Sequence, residues 1–145
     1  MTRLSAIGAR IEALRDAPPL GADADAAVAA RLLGLGEEIL EAWLHARGEQ
    51  PGRGTHEGFR LLALHRQGAR GEPSFNACRE TCRELVYHHN LIVDDPGHPE
   101  TARRLKLMAM VALHLFLFVS GKMEVAKLGE FCCSARPLHA DAAKL

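Results

Sequence analysis

The stretch from Leu107 to Val119 is apolar at every position except His114, and it restricts the available folds more than any other part of the chain. A helix that is apolar nearly all round needs cover on several sides, either from neighbouring helices or from a partner. Thirteen helical residues span about 20 Å, short of the roughly 30 Å of a bilayer core. The sequence therefore predicts no membrane span and a helix that is central or sits in an interface. Pro99 at a first helical position, with Glu100 beside it, opens that helix. It can continue to Leu128 with Gly129 as its stop, and Ser120-Gly121 is the expected place for a kink.

The other segments supply the cover. Leu4, Ile7, Ile11 and Leu14 recur at helical spacing from Thr2 to Asp16, before Pro18-Pro19 ends the run. A second helix is expected to about Arg47, capped by Asp23 or Asp25. Its stripe is Val28, Leu32, Leu35, Ile39 and Trp43, widened by Leu33, Leu40 and Leu44. Gly34 and Gly36 either weaken it or admit a close neighbour. Residues 48–54 (GEQPGRG) read as a loop. A third helix is expected from Thr55, as its cap, to about Gly68, with Phe59, Leu62 and Ala63 on a narrow apolar side. A fourth runs from Ser74 to about Ile92, before the turn Asp94-Asp95-Pro96-Gly97. No alternating strand pattern or internal repeat is present. The expected fold is all-α: one domain over residues 1–145, a bundle of about five helices with the apolar helix 99–128, and a loosely packed C-terminal tail at 130–145.

Composition removes several classes of function. Eighteen acidic residues balance eighteen basic ones, so no overall field draws the chain to nucleic acid or anionic lipid. With 48% hydrophobic and 25% charged residues, wholesale disorder is excluded. Met1 to Asp16 shows no signal-peptide pattern, so the expected location is cytoplasmic and the expected state of the four cysteines is reduced.

Chemistry-bearing residues converge in one place. Phe75, Cys78, Cys82, Leu85, Val86 and His89 share a helix face by their three- and four-residue steps. Cys78 and Cys82 are close enough to ligate one metal ion. His89 lies about 10 Å along the axis from Cys82, too far for the same first shell on a straight helix. Cys132, Cys133 and His114 are further candidate ligands if the fold brings them near, and so is His89 if the helix bends. That set suits zinc, copper(I) or an iron–sulfur cluster, although no C-x-x-C spacing supports one. Buried cysteine otherwise serves as a small hydrophobe, and a disulfide between Cys78 and Cys82 is geometrically strained. His114 is expected in the core with a hydrogen-bond partner. Of the neighbours His88 and His89, the first is expected outward and the second inward.

No catalytic motif is found: no complete Glu-x-x-His pair, zincin helix, phosphate loop or nucleophile elbow. Helix 74–92 could be read as a DNA-recognition helix presenting Asn76, Arg79, Glu80 and Arg83, but the chain lacks the net positive charge this needs. The expected function is that of a non-enzymatic accessory protein working through self-association, as a homodimer, or through contact with another protein. A metal-binding or thiol-redox bundle using Cys78 and Cys82 is the main alternative, and a DNA-binding regulator the second.

Overall fold

A computed structural model describes residues 2–126. Five α-helices make up the architecture: α1 (Arg3–Asp16), α2 (Ala22–Ala46), α3 (Arg60–Ala69), α4 (Arg79–Asp94) and α5 (Thr101–Ala126), with a short 3-10 helix, Pro73–Cys78, leading into α4. Among the described residues no strand occurs, and the all-α expectation holds. The tail at 130–145 and the expected stop at Leu128-Gly129 lie outside the described residues.

The stripes foreseen on α1 and α2 form the core. Ile7 and Ile11 of α1 and Leu32, Leu35, Ile39, Leu40, Trp43 and Leu44 of α2 are buried. α5 packs against α1, α2 and α4, while α3 and the 3-10 helix rest on the outside of α2 and α4. Gly36 lies where α2 meets Leu85 of α4 and Leu61 of α3: a Cβ built there would meet Leu85 Cδ2 at 2.6 Å and Leu61 Cδ1 at 3.2 Å, so any larger residue requires those leucine side chains to shift. Of the two glycines in α2, Gly36 marks the close neighbour; a Cβ at Gly34 would meet nothing.

Several boundaries differ from expectation. Thr2 caps α1, its hydroxyl accepting from the Ser5 N–H at 3.0 Å. Neither Asp23 nor Asp25 caps α2: Gly21 stands at the cap, and Asp25 is buried one turn in, accepting from the Leu20 N–H at 3.3 Å. α3 begins at Arg60 rather than Thr55. Glu57 and Gly58 hold positive φ values of 53° and 85°, which no α-helix tolerates. Together they close a two-residue turn in which His56 and Phe59 exchange both backbone hydrogen bonds at 3.0 Å, the pattern of a type I′ turn. The later start changes the buried face of α3 to Leu61, Leu62, Leu64, His65 and Gly68, leaving Ala63 at the margin.

α5 is apolar as expected, but its burial is one-sided. Met108, Ala109, Ala112, Leu115, Val119 and Met123 face the bundle. Leu107, Met110, Leu117 and Val125 do not. The helix runs through Ser120-Gly121 without interruption. Its 26 residues are long and apolar enough to cross a membrane by length and composition, with a mean hydropathy of 1.6 over the best eighteen-residue window, of which 28% is buried in the bundle.

Candidate functional site

Phe75 organises the region where α2, α3 and the 3-10 helix meet. Its ring stacks on Trp43 at 4.8 Å and on His65 at 5.6 Å, and touches Phe118 of α5. Trp43 donates its indole N–H to the Gly68 carbonyl at 3.1 Å, and Arg47 donates to the same oxygen while lying over the Trp43 ring. The aromatic stack is thus fixed in position at both ends of α3's last turn.

The two thiols of the stripe lie behind this stack. Cys78 and Cys82 are 1% and 0% exposed. Cys78 closes the 3-10 helix and, as a thiol, donates to the Phe75 carbonyl at 3.3 Å. Its acidity is increased, chiefly because the neighbouring Cys82 thiol hydrogen-bonds its thiolate, with help from the hydrogen bond and charge of His65. Cys82 is pushed the other way by the same bond and by burial. The pair therefore behaves as one unit that gives up a first proton readily and holds the second.

His65 is 3% exposed, and its Nε2 lies 3.1 Å from the Phe75 carbonyl. A carbonyl can only accept, so Nε2 carries the proton. On its other side His65 lines a cavity of 330 Å³ between α3, the 3-10 helix and α4, together with His56, Leu62, Arg66, Asn76, Arg79 and Arg83. The rim of that cavity is a continuous relay. Arg66 donates to His56 Nδ1 at 2.9 Å, which leaves His56 Nε2 to donate to Glu57 at 3.1 Å. The Glu57 carboxylate also takes two bonds from Arg83, at 2.9 and 3.2 Å. The Arg83 guanidinium holds Glu57 below the usual carboxylate range.

The remaining candidate ligands are dispersed. His89 bonds its Nδ1 to Asn90 and sets its ring edge-on to Phe59. His114 is exposed, not in the core: α5 turns it outward, beside Arg15, Met110, Leu113, Leu117 and Phe118. The assignment of His88 outward also needs correction. Its Nδ1 is buried without a partner, and burial lowers its pKa. Cys132 and Cys133 lie outside the described residues. Among those described, no group of three or more His, Cys, Asp or Glu side chains is arranged to hold a metal ion.

The sequence reading does not single out His65 or Arg66, and it weighs His56 only with Glu57 as an incomplete zincin motif. The spacing of Leu61, His65 and Gly68 along one face of α3 was the available signal for His65. Arg79 and Arg83, which the sequence offers as a DNA-reading face, line the cavity in the structure, Arg79 beside Glu80 and Arg83 bound to Glu57. Comparison with known protein families, curated proteins and solved structures finds no match for this chain.

Proposed function

We propose that the protein is a helical accessory module that works by pairing with a second copy of itself through the outer face of α5. The observation that carries this reading is the exposed stripe Leu107, Met110, Leu117 and Val125, of which Met110 is 57% and Leu117 66% exposed. Leu107, Met110, His114, Leu117 and Gly121 follow one another at steps of three and four, the 3.5-residue repeat of a helix-pairing seam. Beside the seam lies an open depression of 520 Å³ between Arg15, Leu113 and Phe118, large enough to seat a side chain of another helix.

The stripe favours an antiparallel second copy. A two-fold axis between Leu113 and His114 sets Met110 against Leu117 of the second copy and Leu107 against its Ser120, large against small. It also sets the basic end of each helix, Arg103 and Lys106, near Glu124 of the other. A parallel pairing would instead oppose like charges. From Leu107 to Val125 the seam is about 27 Å long.

Sedimentation of the reduced protein tests this. A dimer at tens of micromolar that becomes monomeric on Leu117→Glu, with helical content unchanged, supports the proposal. A wild-type monomer at that concentration overturns it, and so does a monomer that binds neutral phosphatidylcholine vesicles, which would assign the same face to a lipid surface.

A further inference from the structure

We propose that the cavity between α3, the 3-10 helix and α4 is a binding site for a small phosphate monoester, with the phosphoryl group held by Arg66, Arg79 and Arg83 over His65. The cavity is lined by three guanidinium groups, two imidazoles, one carboxamide and one leucine, with the Glu57 carboxylate at its rim. This composition is unusual in a chain with no net charge. The three guanidinium groups reach solvent, Arg83 paired with Glu57 and Arg79 beside Glu80, and such exposed ion pairs are weak, whereas a dianion with three equivalent oxygens satisfies forks approaching from different helices. Arg66 comes from α3, and Arg79 and Arg83 come from successive turns of α4, so donors approach from two sides.

His65 gives the floor a fixed orientation. It is almost fully buried, its Nε2–H is committed to the Phe75 carbonyl, and its ring is stacked on Phe75. Asn76, from the 3-10 helix, adds a carboxamide that can donate or accept. A volume of 330 Å³ is at the small end of the range for small-molecule sites, about 300–1,000 Å³.

A second cavity of 370 Å³ continues from the first, sharing Leu62 and Arg83 with it and lined further by Glu57, Phe59, Val86, Tyr87 and Asn90. Phe59, Leu62, Val86 and Tyr87 give it an apolar side suited to the organic part of an ester, and Glu57, Arg83 and Asn90 a polar one. Between the two stands the Glu57–Arg83 ion pair. Glu57 holds the guanidinium that the phosphate would share. It reaches Arg83 from the type I′ turn with a backbone φ of 53°, and it is the only non-glycine residue with positive φ among those described. A left-handed conformation is unfavourable for a glutamate. An arriving phosphate displaces this carboxylate, takes Arg83 in addition to Arg66 and Arg79, and joins the two cavities.

The proposal predicts opposite effects from two neighbouring residues. Calorimetric titration with inorganic phosphate and with phenyl phosphate should show saturable binding of both, phenyl phosphate the tighter because its ring enters the second cavity. Arg79→Met should weaken both by at least about tenfold. Glu57→Gln, which removes the competing charge and keeps the side-chain shape, should tighten both several-fold. Circular dichroism of each variant confirms that the helices are retained. If Arg79→Met loses helicity, Arg66→Met serves in its place. The proposal is overturned if neither phosphate binds saturably, if Glu57→Gln weakens binding, or if the arginine variants bind as the parent does. It is also overturned if random duplex DNA binds with a steep salt dependence while phenyl phosphate does not, which would make the arginines a nucleic-acid contact.

Discussion

α4 and α5 both carry an apolar face interrupted by histidine and lined with sulfur or leucine, yet the bundle treats them in opposite ways. The face of α4 that carries Cys82 and Leu85, with Cys78 at its N-terminal cap, is sealed by α2 and α5, and the two thiols are inaccessible. The outer face of α5 that carries Leu107, Met110, His114 and Leu117 is exposed, with only Arg15 of α1 beside it among the described residues. Helical periodicity says which residues share a face. It does not say how many faces a neighbour will cover. α5 has apolar residues for two faces, and the three helices packed on it reach only one. An unusually apolar helix in a small bundle is therefore informative for the apolar residues left over once its neighbours are placed.

The sharpest way to break the comparison is to truncate two leucines two residues apart. Leu115→Ala, on the inner face, should cost about 2–5 kcal/mol in chemical denaturation, since it leaves a cavity against packed neighbours. Leu117→Ala should change the stability of the isolated fold by no more than about 0.5 kcal/mol, as at an ordinary surface position, and should weaken self-association instead. Equal losses at both positions would mean that the outer face is covered within one molecule.

The sealed face of α4 makes a smaller, spectroscopic prediction. Ultraviolet titration of the native protein should show one thiolate forming well below the range of an ordinary cysteine, and Cys82→Ser should move that transition upward or broaden it. The native thiols should react with iodoacetamide much more slowly than the same thiols in denaturant. Equally fast reaction in both states would show that the face is open. With its pKa lowered in the folded state, Cys78 contributes stability that is fully present above the unfolded cysteine value and is lost as pH falls through the folded one. Cys82, raised in the folded state, acts in the opposite direction at high pH. The thiols' net contribution is therefore greatest between the two transitions.

The smallest effect belongs to His88. Its imidazole is partly buried with one nitrogen unpartnered, and its pKa is lowered. The unfolded chain then takes up the proton first, so stability is fully present above the unfolded histidine value and falls as pH drops through the folded one. His88→Phe should flatten that part of the stability–pH curve. An unchanged slope would place the acid sensitivity elsewhere.

The sequence made the helices legible because each has a strong apolar repeat, from Ile7 and Ile11 in α1 to Leu32, Ile39 and Trp43 in α2. It misplaces the start of α3 because Thr55 resembles a cap, while Glu57-Gly58 instead forms a turn closed by the backbone bonds between His56 and Phe59. The thiol pair was visible in the spacing of Cys78 and Cys82. The cavity was not, because its arginines and histidines come from three segments that only the tertiary fold brings together. Arg79 and Arg83 taken alone look like part of an ordinary solvated helix face. His114 was assigned to the core on the apolarity of its neighbours, and those neighbours turn out to include the exposed ones.

Trp43 is the only tryptophan in the chain. It is buried, stacked on Phe75, and through that ring one contact away from the imidazole that floors the arginine cavity. The molecule thus contains its own optical gauge. Whatever tilts His65 or changes its charge reaches the indole through a single phenyl ring, and emission from the unlabelled protein reports it.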